Sequence, residues 1–509
     1  MGTKKTAMVL NSNASLQGLR NTKTIVLAAL LGIILLVIPV LMIFIDPIFV
    51  LAKFKLRITK GSVLYELMKH ETETARLEIH LFNATNAERF LRGEDQKLRV
   101  QEVGPFVYQE YRSHEEIDLD LETGVLRFIP RFRAEFVEEK SVGRPEETML
   151  VVPHVPYISM TSFFSSYPSM IKSLYSMLIW QLSPEPFMSI DVHKYLWGYQ
   201  DKVIQMCKNL IPGVMYYDSL AIFDTLYDRK ADYKMEMDIT LQNKFQVRRV
   251  MKKLREKSWN SSDLVQTKYV FQDTYEGAAF PPQMTPQMSL NTYRPGVCKT
   301  LGWEYAGRKR MKLGADTFLY RLTNKTFGNT RLCDSKGLCP HGAIDLSSCY
   351  LGLPIAITMP HLIDVDSEFQ QRVDGLVPDK EKYLNYIEIE PKIGLTVETS
   401  VSLQLNLLLG DMRFMPDLAK FSDMLLPLAH AKMTLPELPA ATKNSLTLLY
   451  VTGPQILLGL EIASALLGLA LLVYSLALLR RDWSRRRDPA RYFDDRLKGK
   501  VRAELPLIS

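Results

Sequence analysis

The sequence predicts an α+β membrane protein, with two transmembrane helices bracketing a large ectodomain built on antiparallel strands. Three observations predict it. An uncharged apolar run fills Ile25 to Ile45, and a second runs from Ile456 to Leu479 with Glu461 as its only interruption. The long segment between them alternates polar and apolar residues over several stretches rich in Val, Phe and Tyr, the period of half-buried strands. Roughly 20 apolar residues cross the ~30 Å hydrocarbon core of a bilayer as a helix, so both runs are long enough to span. Two spans return the chain to its starting side. The expected division is therefore a cytosolic tail at 1–23, a span at 24–46, a lumenal or extracellular ectodomain at 47–452, a second span at 453–479, and a cytosolic tail at 480–509.

The first run exceeds the about 7–15 residues of a signal-peptide core, and no small-x-small cleavage site follows it at "DPIFVLAKFK". Pro39 falls inside it, which a transmembrane helix tolerates. Arg480, Arg481, Arg485, Arg486 and Arg487 follow the second run, and by the positive-inside rule they place the C-terminal tail in the cytosol. At the other end Lys4, Lys5, Arg20 and Lys23 are balanced by Lys53, Lys55 and Arg57. The C-terminal arginines therefore decide the orientation.

The 509 residues are 47% hydrophobic, enough for the middle segment to bury a full core. The net charge of +7 concentrates at the tails, and no long basic run in the middle suits nucleic acid. Neither tail has a cysteine. The five are Cys207, Cys298, Cys333, Cys339 and Cys349, a pattern that fits an oxidising compartment, two disulfides and one leftover thiol, with the pairing open. Cys333, Cys339, His341 and Cys349 form a rival zinc set, but their irregular spacing speaks against it, and no metal or cofactor is expected. Asn83, Asn260 and Asn324 head glycosylation sequons in the middle segment; Asn13 heads one in the tail and should stay bare.

From Val63 to Gly93 the pattern is helical at first and then polar. "KLRVQEVGPFVYQEYRS" and "GVLRFIPRFRAEF" read as strands divided by turns at Gly104–Pro105 and Thr123–Gly124. Similar texture returns over 267–320 and 351–408. The stretch from Pro156 to Leu182 differs, with Lys172 its only charge; its serines and Pro168 make a third span poor. Its Met and aromatic content suits both a buried helix pair and an exposed, adaptable apolar cap. Lys244 to Lys257 reads as a basic, helix-like run with a solvated face.

Several motifs together resemble the class B scavenger receptor family. They are "FNATNAERFLRG" followed by "VQEVGPFVYQEYR", then "YLWGYQD", "FPP", the cysteine block "CPHGAIDLSSCYLGLPIAITMPHL", "DGLVPDKEKYLNYIEIEPKIGL", and "VTGPQILLGLEIASALLG" in the second span. The resemblance runs nearly end to end. It implies an antiparallel β-barrel core, a helical apex bundle at about 156–211, and an internal apolar tunnel. It further implies that fatty acids, sterols or lipoprotein lipids bind at the apex and pass through the tunnel to the membrane. Phe163, Phe164, Met170, Lys172, Met177 and Lys194 are the apex residues expected to meet them. A conduit suits such ligands because each CH₂ exposed to water costs about 0.8 kcal/mol. No chemical step is needed, so no catalytic residue and no enzyme activity are expected. By the family pattern Cys298 pairs with Cys349 and Cys333 with Cys339, leaving Cys207 as a buried thiol. The turn before "FPP" departs from the family, reading "DTYEGAAFPP" and keeping only Gly277 of a glycine-rich motif, which marks a divergent member.

Two alternatives accompany this reading. One is a lysosomal cargo receptor that grips a soluble protein with its apex helices. The other is a two-span ion channel subunit, against which Glu461 stands as the only charged residue in either apolar run. Glu504, Leu507 and Ile508 resemble an acidic dileucine signal read by sorting adaptors, so plasma membrane and endosome or lysosome both remain as destinations. Gly2 fits a myristoylation pattern, and His154 and His193 flank the apex where they could titrate near endosomal pH. The same topology is compatible with a homo-oligomer.

Overall fold

A computed structural model describes residues 2–210, 219–223, 227, 231–254, 268–310, 314–328, 340–350 and 352–487. The chain divides into two units, Met1–Ala52 with Lys443–Ser509, and Lys53–Thr442.

The first unit is a helix pair. Helix Gly2–Ile45 contains the apolar stretch Thr22–Ile45, and the helical run Ala440–Ser484 contains the second. Both are long and apolar enough to cross a bilayer, and both turn Leu and Ile side chains outward. The helices touch where side chains are smallest. A Cβ on Gly32 would lie 2.9 Å from the Gly468 carbonyl oxygen, and one on Gly468 would lie 2.9 Å from that of Gly32. Nearby the Ser475 hydroxyl donates to the Ile25 carbonyl at 3.1 Å. Close backbone approach over small residues is how apolar helices associate where lipid removes the hydrophobic drive. The second helical run starts before the expected span, because Ala440–Thr447 and the π-turn Leu448–Thr452 lead into helix Gly453–Arg487 without a break.

The second unit is organised by one large sheet. Its strands lie in the order Lys268–Val270, Val247–Leu254, Ala231–Asp238, Val125–Phe136, Leu98–Asp120, Thr72–Ala84, Leu425–Thr434, Leu395–Leu408, Tyr386–Glu390, Asp316–Leu322, Thr300–Arg310, Leu290–Tyr293 and Thr274–Tyr275. Neighbours are antiparallel except the final pair. A bridge between Gln246 and Tyr275 returns the last strand to the neighbourhood of the 247–254 strand, so the sheet nearly closes into a barrel. Closure removes most of the open edge that a sheet this wide would otherwise present.

Three local expectations are corrected. Helix covers only Val63–Met68, where the Ser62 hydroxyl caps the Tyr65 N–H; strand Thr72–Ala84 then begins, with Ala75, Leu77, Ile79 and Leu81 buried in alternation. Gly104–Pro105 does not end a strand. The 98–120 strand runs through it, and its pairing with the 72–84 strand slips between Ile79 and Leu81, where the missing proline N–H costs no ladder bond. The basic run at 244–257 is a strand over Val247–Leu254, paired with Ala231–Asp238; the rest lies outside the described residues. Cross-strand pairing overrides its local helical pattern. Lys244 is buried, with its ammonium on the Leu56 carbonyl, rather than solvated.

Candidate functional site

Three strands at the middle of the sheet carry matched rows of side chains. Register aligns Leu77, Met433 and Val401, then Ile79, Ala431 and Leu403, then Leu81, Ala429 and Leu405. All but Leu81 line an apolar cavity of about 100 Å³ inside the barrel, with Ile222, Phe223, Val297 and Ile357 on other walls. Arg294 and Tyr227 supply polar atoms there. The Arg294 guanidinium pairs with Glu110, whose carboxylate also accepts from the Tyr227 hydroxyl at 2.7 Å, so the charge is neutralised within the protein. A larger cavity of about 690 Å³ is lined in part by charged residues, including the pairs Lys380 with Asp364 at 2.6 Å and Lys325 with Glu304 at 3.4 Å. Its mixed charge makes it a wet cleft. The barrel cavity is the one suited to hydrocarbon.

The stretch from Pro156 to Leu182 forms two helices with different jobs. Helix Val155–Ser165 is buried along most of its length, while helix Ser169–Leu182 buries Tyr175 and Ile179 and exposes Met170, Leu174, Met177 and Trp180. Pro168 separates them at the N-cap of the second. Tyr175 joins them, stacking on Phe164 at 4.5 Å and sharing a 2.9 Å hydrogen bond with Thr161. Met170 is 78% exposed and Trp180 80%; with Leu174 and Met177, spaced three and four residues apart, they lie along one apolar stripe.

The expected apex residues are thus only partly brought together. Phe163 is half-buried and packs edge-on against Phe164 at 5.4 Å; Gly352 makes room for it, since a Cβ there would meet its ring at 2.9 Å. Lys172 holds its ammonium 5.6 Å from the Phe414 ring centre. Met170 and Met177 stand on the exposed stripe. Lys194 belongs to a different helix, Val192–Trp197, where it pairs with Asp191 at 2.7 Å. Trp180 and Leu174 were not singled out in the sequence, although their helical spacing from Met170 and Met177 is the signal that finds them. His154 is buried rather than surface-borne, bonded to Asp201 at 2.8 Å and to the Glu185 carbonyl at 2.9 Å, while His193 is exposed beside Glu146.

Cys298 and Cys349 are disulfide-bonded, and Cys207 is free and buried, its thiol pushed up to about 12 by burial and then by the Asp201 charge. Cys333, Cys339, Asn260, Glu504, Leu507 and Ile508 lie outside the described residues. Asn324 is exposed at the turn after strand Asp316–Leu322. Asn83 sits half-buried in its strand, its Oδ1 accepting from the Val151 N–H at 2.8 Å.

On the opposite face of the cavity-lining strands lies a polar group that local sequence spacing could not show. His80, His430 and Gln404 share one register row, between two of the apolar rows. Glu102, on the adjacent 98–120 strand, reaches His80 at 2.6 Å and His430 at 3.3 Å with Oε1, and His361 at 3.0 Å with Oε2. Hydrogen bonding from His361, then from His430 and His80, holds the Glu102 carboxyl far below the usual carboxylate range against the opposing effect of burial. Burial pushes His430 down to about 4.

A two-span chain whose second unit is a nearly closed sheet around an apolar cavity defines a membrane-anchored protein of the scavenger-receptor type. A sequence model of the CD36 family matches residues 24–479, and the chain belongs to that family. It is 25% identical over 409 residues to scavenger receptor class B member 1 of Bos taurus, covering 78% of each chain. To the lysosome membrane protein 2 of Homo sapiens it is 21% identical over 362 residues, covering 69% of this chain and 73% of that one. These relatives and the two apolar helices fit a two-span protein of the plasma or lysosomal membrane.

Proposed function

We propose that this chain captures lipids such as fatty acids or sterols on its exposed apolar helix and passes them through the barrel to the bilayer that anchors it. The observation that carries the reading is the set of matched apolar rows, which give three adjacent strands a continuous hydrocarbon wall. The stripe of Met170, Leu174, Met177 and Trp180 supports it as a place of first contact, because methionine and tryptophan adapt to ligands of varied shape. At about 100 Å³ the cavity is smaller than the ~300–1,000 Å³ of a drug-sized ligand site, so a lipid chain entering it has to displace wall side chains. Leu, Ile and Met at the wall make that displacement cheap in polar terms, since no hydrogen bond is broken. The mixture of members named as receptor and as lysosome membrane protein leaves both membranes as destinations.

The test is the lipid content of the full-length protein. Protein purified in detergent, washed and extracted, should release fatty acid or sterol detectable by mass spectrometry. Ala431→Trp fills the middle row of the cavity and should reduce that content severalfold while the protein stays folded, at a stability cost of roughly 1–3 kcal/mol. A lipid-free wild type, or equal lipid in the variant, would overturn the reading.

A further inference from the structure

The cluster opposite the cavity wall has the composition of a metal site. We propose that His80, His430 and Glu102 bind a divalent zinc ion that clamps strands Thr72–Ala84, Leu98–Asp120 and Leu425–Thr434 together. The His80 Nδ1, the His430 Nε2 and a Glu102 carboxylate oxygen all lie within 4.8 Å of one another. Donors on one tetrahedral zinc, each at ~2.1 Å from the metal, stand roughly 3.3 Å apart, close to the His430–Glu102 separation of 3.3 Å. His80 is nearer, at 2.6 Å, and moves out by less than an ångström to match.

The contacts are not an ordinary hydrogen-bonded trio. His80 Nδ1 and His430 Nε2 both face Glu102 Oε1, at 2.6 and 3.3 Å but in poor alignment, and among the described residues His430 Nδ1 has no hydrogen-bond partner although His430 is 2% exposed. The rings of His80 and His430 stack at 4.5 Å with 9° between their planes; because a ligating lone pair lies in the plane of its ring, one of the two imidazoles has to tilt out of the stack to share the ion. Buried polar nitrogens left in this way cost free energy, and a shared cation would satisfy them together.

The surroundings orient the carboxylate as an outer layer around a metal does. The Val377 N–H donates to His361 Nδ1 at 3.2 Å, which leaves the proton of the neutral ring on Nε2, facing Glu102 Oε2 and the Tyr383 hydroxyl at 2.8 Å. One carboxylate oxygen is thereby held by His361 and the other is free for the ion. Gly104 packs directly behind His80: a Cβ there would lie 2.7 Å from the Ile79 carbonyl and 3.0 Å from the His80 ring. Two imidazoles and one carboxylate are borderline donors that suit zinc better than calcium or magnesium, which prefer all-oxygen shells. Three protein donors leave a fourth position for water. Strand Leu425–Thr434 is far along the chain from the other two and, like Thr72–Ala84, carries cavity rows on its other face, so the ion would stiffen that wall.

The experiment uses full-length protein purified through chelator, reloaded with Zn²⁺ or Co²⁺, dialysed, and assayed by plasma mass spectrometry. The expected result is one ion per chain, with tetrahedral Co²⁺ absorption bands, and loss of both in His80→Gln and His430→Gln but not in His193→Gln. Thermal melting of the wild type, which needs no variant, should rise on adding Zn²⁺ to chelated protein and fall again with chelator. A wild type that retains no more metal than His430→Gln, or whose melting ignores Zn²⁺, overturns the site and leaves a hydrogen-bonded histidine–carboxylate cluster.

Discussion

Trp180 and Met177 show how exposure at single residues can point to function. Both lie on a helix whose other face is pinned by Tyr175 and Ile179, so they could be polar without loss of packing, yet they are apolar. Isolated exposed apolar residues are ordinary, but four along one helical face form a patch. Replacing both by aspartate should cost no more than about 1 kcal/mol, since neither is buried and the cost is mostly helix propensity. Under the proposed function the same change should cut transfer of fluorescent fatty acid from vesicles to the protein severalfold. Unchanged transfer with unchanged melting would remove this helix from the route. Lys172 is the contrasting case: the only charge in the 156–182 stretch, it rests over Phe414 and is held partly by packing, so Lys172→Ala tests stability as much as binding.

At the scale of elements, the disulfide gives the clearest energetic statement. Cys298 and Cys349 close a separation of 51 residues, tying the turn before strand Thr300–Arg310 to the 3₁₀ turn Ser347–Cys349. Loop-closure entropy assigns about 4 kcal/mol to a bridge of that span. Cys298→Ser with Cys349→Ser should therefore lower the denaturant midpoint by a large fraction of the total stability, and an unchanged midpoint would contradict the bond. The same scale shows what could be read from sequence. Strand Val125–Phe136, the strand character of Leu98–Asp120 though not its passage through Gly104–Pro105, and both apolar helices were legible because their patterns are local: period-two alternation in one case, unbroken apolar length in the other. Val247–Leu254 was not, since Arg248, Arg249, Lys252 and Lys253 lend it a helix-like charge pattern and only pairing with Ala231–Asp238 makes it a strand. The His80–Glu102–His430 cluster was invisible for a related reason. Its two histidines meet through register between strands some 350 positions apart, and no spacing along the chain encodes that.

For the whole molecule, the question of which membrane it occupies becomes a question of acid stability. His114 lies on the 98–120 strand, its Nδ1–H donating to the Met68 carbonyl at 3.0 Å and its ring edge-on to Phe128 at 4.9 Å. Burial, and then the nearby Arg112 charge, push it down to about 4 from an ordinary 6.5. The unfolded chain therefore takes up this proton near pH 6.5, while the folded protein resists until about pH 4. The stability tied to the neutral ring is complete above the unfolded value and drains away as pH falls between the two. The loss reaches about 2 kcal/mol at pH 5 and about 3 kcal/mol once pH is below both values. A copy working at a neutral cell surface never meets this cost; one working in an acidic lumen must absorb it. His114→Asn keeps a donor for the Met68 carbonyl and removes the titration. Unfolding free energies of the full-length protein from denaturant titration at pH 7.5 and pH 5 should differ less in that variant than in the wild type, by about 2 kcal/mol. An identical pH dependence in the two would show that His114 is not held neutral by the fold, and that acid tolerance is set elsewhere in the ectodomain.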